Sequence, residues 1–157
     1  MKTVELLALD VDGTLTDGAI YLSGDGREMK RYDVKDGTAL VTFRKRGGVV
    51  AFISGRTSAS TVARAAELEV QHLYNGTKDK LGDLMALAQS LGFSPDQVVY
   101  VGDDVNDIEC LRWAGMGVVV ADGVDEAKAA ADWVTRCPGG RGALREVVDR
   151  LIAEGLR

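Results

Sequence analysis

The sequence has one histidine, two cysteines, two tryptophans and no basic run longer than the three residues Arg44, Lys45 and Arg46. Each scarcity removes a class of function. The single histidine, His72, falls in an apolar strand run and reads as structural. Cys110 and Cys137 lack the spacing of zinc ligands, so both are expected as free thiols, with Cys110 packed on a helix. Trp113 and Trp133 read as packing or interface residues rather than a platform for stacking bases. A net charge of −5 at pH 7, with no Lys or Arg run long enough to offset it, argues against a nucleic-acid surface. It does not argue against a small anionic substrate, because local positive groups and a metal set the field in a pocket. No apolar stretch approaches the roughly 20 residues of a membrane span. Glu5 and Asp10 interrupt any signal-like segment, so a cytoplasmic protein without membrane contact is expected.

What remains is an ordinary globular composition, 46% hydrophobic and 27% charged. Residues 1–157 suit one domain and leave no room for a second, capping domain. The most informative stretch is DVDGTLTDG at 10–18, which follows the apolar run Val4, Leu6, Leu7, Ala8, Leu9. Such a run reads as a strand buried on both faces, with the acidic turn at its carboxyl end. Two short runs, 19–22 and 28–32, flank SGDG and predict a β-hairpin close to that turn.

Farther along, a helix is predicted over 36–46 and a strand over 49–53 that stops at Ser54. A helix over 58–69, a strand over 70–74 and an amphipathic helix over 77–91 follow. Next come a strand over 98–101 ending at Gly102, Asp103 and Asp104, a short helix to Trp113, and a strand over 116–120. A helical turn at 125–131 and a last short strand at 132–135 precede a glycine-rich segment, 137–146, and a closing amphipathic helix. Alternation of this kind predicts a doubly wound α/β fold with a parallel, Rossmann-like sheet and a β-hairpin flap.

In a parallel sheet the carboxyl ends of the strands share one edge, so Asp10, Ser54 and Asp103 converge there. Lys80, at the start of a helix, is placed to reach the same edge, and Asp107 lies one helical turn from Asp103 and Asp104. Carboxylates gathered in this way repel one another unless a cation sits between them. An all-oxygen set of this kind suits Mg²⁺. A hydroxyl and a lysine beside the metal would make a phosphate cradle, and the implied chemistry is phosphoryl transfer.

DVDGT at 10–14, Ser54, Lys80 and GDDVND at 102–107 resemble the four motifs of the haloacid dehalogenase superfamily of aspartate-nucleophile phosphohydrolases. The resemblance implies that Asp10 attacks phosphorus and that Asp12 is the general acid and base. It implies that Ser54 and Lys80 hold the phosphoryl oxygens, and that Asp10, the backbone carbonyl of Asp12, and Asp103 bind Mg²⁺. Asp104 and Asp107 would orient waters and Lys80.

ISGR, YNGTKDK, GGRGALRE and the hairpin sequence are similar to the small capless phosphatases of sugar-acid phosphates, above all the 3-deoxy-D-manno-octulosonate 8-phosphate phosphatase family. That likeness implies a homotetramer whose hairpin and neighbouring subunit close the site. It makes Asp33, Val34, Lys35, Asp36 and Gly37 a substrate-binding loop, and Arg56 and Arg64 the holders of the sugar carboxylate. It also implies that the segment carrying Arg141 and Arg145 can reach over an active site, against the simpler reading of a surface helix with solvated arginines. Val41 stands where a basic residue often follows the loop in that family, which leaves a nonulosonate 9-phosphate or another small sugar phosphate as alternative substrates.

Two readings of another class compete. An inactive oligomerisation module does not need the complete set Asp10, Asp12, Ser54, Lys80 and Asp103. A phosphoryl-accepting response-regulator domain would carry its acceptor aspartate after a middle strand, whereas the DxD pair here follows the first.

Overall fold

The apolar run behind the acidic turn is buried along its whole length and forms β1 (Leu6–Leu9). The structure, a computed structural model, describes residues 3–156, so the very ends of the expected domain lie outside the described residues. A hairpin of β2 (Tyr21–Leu22) and β3 (Glu28–Met29) follows β1, and then come α1 (Val34–Lys45), β4 (Val49–Ser54), α2 (Ala59–Glu67) and β5 (His72–Asn75). The second half runs α3 (Lys80–Leu91), β6 (Val98–Gly102), α4 (Ile108–Trp113), β7 (Met116–Val119), α5 (Asp125–Ala129), β8 (Trp133–Val134) and α6 (Ala143–Ala153).

Six strands make one parallel sheet in the order β5-β4-β1-β6-β7-β8. The chain winds outward from β1 through β4 to β5, then returns to the other side of β1 at β6. β1 is therefore central, and its junction with β6 is the switch point where such sheets open a crevice. Alternate residues of each strand face opposite layers. Leu7, Leu9, Phe52, Val99 and Val101 pack with Leu40 and Phe43 of α1, Ala65 of α2, and Leu144 and Val148 of α6. Leu6, Ala8, Ile53 and Tyr100 pack with Leu84 and Ala88 of α3 and Cys110 and Leu111 of α4. The predicted doubly wound α/β architecture is what the structure shows, and the described residues include no cap domain.

Two helix starts differ from expectation, each because an aspartate caps the first turn. Asp79 accepts from Gly82 N, so α3 begins at Lys80 rather than at 77. Asp33 accepts from the backbone N–H of Lys35 and Asp36, so α1 begins at Val34. The expected substrate-binding loop 33–37 is thus a capped helical turn. Within it, Asp36 is buried and accepts from Gly142 N at 3.1 Å and Arg145 N at 2.9 Å. It caps α6 from another helix, supplying the acceptor that Gly142 lacks.

The glycine-rich segment does not cross the molecule as a free arm. Gly140 N donates to Thr14 O, and Arg31 reaches the Gly140 carbonyl at 2.7 Å. A Cβ on Gly139 would lie 1.8 Å from the Gly13 carbonyl, so only glycine lets this segment close against the acidic turn. Arg141 pairs with Asp17, and Arg145 with Asp149. Both arginines are surface residues paired with acids of their own chain.

Candidate active site

The backbone of the acidic turn is fixed from β6, where Asp10 N donates to Val101 O. Gly13 takes φ +91°, and a Cβ there would meet Asp103 Oδ2 at 2.1 Å. Both the left-handed conformation and the closeness of Asp103 require glycine in DVDGT. Thr14 Oγ1 donates to Asp103 Oδ1 at 3.2 Å, and Asp17 accepts from Ala19 N, shaping the turn into the hairpin. The turn and the end of β6 are thereby locked together.

Lys80 Nζ lies 2.6 Å from Asp10 Oδ1 and 2.8 Å from Asp107 Oδ1. Burial pulls the ammonium's pKa down, but the two carboxylates outweigh it and raise the pKa above the usual lysine value. Asp107 is fully buried, and each of its oxygens takes two donors. Oδ1 accepts from Lys80 and from the Tyr100 hydroxyl at 2.7 Å, while Oδ2 accepts from Asp103 N at 3.0 Å and Asp104 N at 3.2 Å. Asp104 caps the following turn through Val105 N and is exposed.

Asp10, Asp103 and Asp107 bring carboxylate oxygens within 4.8 Å of one another, three negative charges against the single ammonium of Lys80. Desolvation, followed by the charge of Asp107, raises Asp10 well above the usual carboxylate range. Desolvation also pushes Asp103 up to about 6, against hydrogen bonds from Asp10 and Thr14. The surplus negative charge and the all-oxygen donor set fit a hard dication such as Mg²⁺. Because both oxygens of Asp107 are already engaged, Asp10 and Asp103 are the carboxylates left to face a metal.

A cavity of about 320 Å³ opens over this cluster, lined by Asp10, Asp12, Gly55, Arg56, Asp103, Asp104 and Asn106. Ser54 ends β4 at the same edge but is fully buried, its hydroxyl donating to Arg56 O at 3.1 Å. Arg56 is half exposed and pairs with Glu28 of the hairpin at 2.8 Å. Ser58 and Arg56 hold the Glu28 carboxyl below the usual glutamate range.

Arg64 is not brought to this cavity. It pairs with Glu67, donates to Asp33 O, lies over the Tyr32 ring at 5.3 Å, and lines a separate groove with Val34, Gly37 and Val41. Within one chain Arg56 and Arg64 therefore do not form a joint carboxylate clamp. Lys35 lines a third, basic groove with Arg141 and Arg145.

Reading the sequence missed three groups at this edge: Tyr100, Glu28 and Lys30. Tyr100 carried a signal, since a hydroxyl inside the apolar run VVYVG needs a buried partner. Lys30 carried no signal in the hairpin sequence, yet its side chain is fully buried and its ammonium lies 2.7 Å from Asp12 Oδ1.

Among known proteins, residues 69–144 match the family model of haloacid dehalogenase-like hydrolases. The chain is 41% identical over 151 residues to 3-deoxy-D-manno-octulosonate 8-phosphate phosphatase KdsC of Escherichia coli strain K12, covering 96% of this chain and 80% of that protein. Its fold superposes with a TM-score of 0.93 on the 3-deoxy-D-manno-octulosonate 8-phosphate phosphatase of Moraxella catarrhalis, solved with magnesium, phosphate and KDO, at 39% identity over 96% of this chain and 86% of that one. The cobalt-bound deoxy-D-mannose-octulosonate 8-phosphate phosphatase of Haemophilus influenzae gives a TM-score of 0.93 at 32% identity, covering 98% of this chain and 90% of that one. With sequence and fold in agreement over nearly its whole length, the chain belongs to the haloacid dehalogenase-like hydrolases and, among them, to the 3-deoxy-D-manno-octulosonate 8-phosphate phosphatase family.

Proposed function

We propose that this protein is a Mg²⁺-dependent phosphomonoesterase that hydrolyses 3-deoxy-D-manno-octulosonate 8-phosphate to the free sugar acid and phosphate. The observation that carries this reading is one cavity lined by Asp10, Asp12 and Asp103, a pair of acids and a metal-type carboxylate, with Arg56 at its rim. The relatives' substrate is a phosphate monoester that also bears a carboxylate, and both chemistries are matched there.

Asp10 attacks phosphorus, the bond to the sugar oxygen breaks, and an aspartyl phosphate forms. Asp12 gives a proton to the departing alkoxide, then takes one from the water that attacks the aspartyl phosphate, which frees Asp10 and inorganic phosphate. Lys80 neutralises Asp10 before attack and the phosphoryl oxygens afterwards, while Asp107 and Tyr100 hold Lys80 in line. Ser54 contributes to the phosphate pocket once its proton turns away from the Arg56 carbonyl. The carboxylates of Asp10 and Asp103 and the backbone carbonyl of Asp12 would hold Mg²⁺, which when bound would neutralise charge on the transferring phosphoryl group.

Residues 1–157 act as one domain in this reading, and four copies associate. The hairpin presents Tyr21, Leu22 (70% exposed) and Met29 (68%), and α1 begins with Val34 (79%), apolar side chains that a neighbouring copy would cover. Association also offers a way for Arg64 of one copy to serve a neighbour's cavity. Residence in the cytoplasm is consistent with two free thiols and with no helix, among the described residues, long and apolar enough to cross a membrane.

The test is phosphate release from a panel of sugar-acid phosphates, including a nonulosonate 9-phosphate, with and without Mg²⁺ and with Asp10→Asn as control. Highest kcat/KM on the octulosonate 8-phosphate, lost in the variant and in chelator, supports the reading. Undiminished turnover in the variant, or preference for the nonulosonate, overturns it in mechanism or in substrate.

A further inference from the structure

Lys30 has three N–H bonds and three neighbours of the right kind. Its ammonium lies 2.7 Å from Asp12 Oδ1, 3.1 Å from Thr61 Oγ1 and 3.6 Å from Glu28 Oε1, and none of its side chain reaches solvent. An ammonium withdrawn from water in this way is tolerated only with carboxylates around it, and losing one partner is costly. The pair is therefore a fixed joint between the hairpin and the acidic turn.

The joint continues toward the cavity rim. Glu28 Oε2 accepts from Arg56 Nη2 at 2.8 Å, while Glu28 Oε1 is buried and accepts no hydrogen bond of normal geometry. Oε1 faces Lys30 at 3.6 Å, and a movement of less than about 1 Å would close a charge-assisted hydrogen bond between them. One row of alternating charge, Arg56, Glu28, Lys30, Asp12, thus runs from the rim to the group that handles the leaving-group proton.

We propose that Lys30 is the positioning residue that aims the Asp12 carboxylate at the leaving oxygen, and that Glu28 ties it to Arg56, so that holding the substrate's carboxylate and aiming the proton donor are mechanically linked. The proposal rests on the phosphatase reading above. It assigns the hairpin a part in the chemistry of its own chain. With Glu28 holding Arg56 in place for the substrate's carboxylate, Lys30 keeps its grip on Asp12 Oδ1, and Asp12 Oδ2 is left to face the leaving oxygen.

The bland alternative is that Lys30 only glues the hairpin down, and leaving-group chemistry separates the two. An alkyl phosphate expels a poor leaving group that needs a proton, whereas p-nitrophenyl phosphate expels a stable phenolate that does not. The parameter to compare is kcat/KM, which reports the step up to alcohol release and is blind to later hydrolysis of the aspartyl phosphate. Lys30→Met should lower kcat/KM on the sugar-acid phosphate by about 100-fold or more, the scale of general-acid catalysis, and leave that on p-nitrophenyl phosphate nearly unchanged. Lys30→Arg, which keeps the charge, should restore part of the loss on the sugar-acid phosphate alone.

Glu28→Gln provides a milder second variant should Lys30→Met fail to fold. It should raise KM for the sugar-acid phosphate several-fold and leave KM for p-nitrophenyl phosphate, which has no carboxylate, as it was. Equal losses on both substrates, or no loss on either, overturn the proposal. If the wild-type protein hydrolyses p-nitrophenyl phosphate and a hexose 6-phosphate but no sugar-acid phosphate, the substrate reading falls. The Lys30 comparison then stands on the hexose phosphate as the alkyl substrate.

Discussion

Replacing Asp107 by Asn removes one charge without changing shape, and its consequences follow from four contacts. The carboxylate accepts from Lys80, Tyr100, Asp103 N and Asp104 N. An amide keeps one acceptor oxygen and turns an NH₂ toward the other two donors, so two hydrogen bonds to a charged group are lost, at about 1.5–3 kcal/mol each. Part of this is offset, because the charge of Asp107, after desolvation, helps to raise the pKa values of Asp10 and Asp103, and that repulsion goes with it. A net loss of about 2–4 kcal/mol is expected, which for a chain of this size lowers Tm by roughly 5–15 °C in chelator. Lys80 is left with one charged partner instead of two, so kcat/KM should fall about 10–100-fold and Mg²⁺ should bind more weakly, as for other groups that orient ligands from behind. Differential scanning calorimetry with EDTA and a Mg²⁺ titration of activity read both effects. A variant with wild-type Tm and wild-type Mg²⁺ dependence would refute the argument that Asp107 organises the site.

Two further outcomes follow from the same accounting. Asp36→Ala orphans the N–H groups of Gly142 and Arg145 at the start of α6, and should cost about 2–5 kcal/mol while leaving KM near wild type in the fraction that stays folded; a raised KM with unchanged stability would return Asp36 to substrate binding. Asp103 is pushed up to about 6, above the ordinary aspartate value, so the metal-free fold binds its proton more tightly than the unfolded chain does, and this contribution to stability is present in acid and lost as pH rises through about 6. Mg²⁺ needs the deprotonated form, so its gain in Tm should be larger at about pH 7.5 than at about pH 5, and an equal gain at both would contradict that assignment.

The strand ends were legible because each pairs an unbroken apolar run with an abrupt polar stop: LLAL before Asp10, VVAFI before Ser54, VVYVG before Asp103. A parallel sheet converts those stops into one edge without further information. The site's inner supports were not legible, because they depend on which segments meet in space. Lys30 and Glu28 sit in a polar hairpin whose pattern gives no sign that one side chain turns inward onto Asp12. Asp36, which the family resemblance places in a substrate-binding loop, also caps the start of α6, and nothing nearby in sequence announces that contact. Arg64 shares a helix pattern with residues facing the sheet, yet Tyr32 and Asp33 draw it to a groove away from Arg56.

The central claim is that Asp10 becomes covalently phosphorylated, and it can be read at the atom concerned. In Asp12→Asn the water that should release phosphate lacks its base, so p-nitrophenyl phosphate with Mg²⁺ should give a stoichiometric burst of p-nitrophenolate. Reduction of the quenched protein with borohydride, followed by peptide mapping, should then find homoserine at position 10. Absence of the burst together with an unmodified Asp10, or homoserine at any other position, would contradict the account.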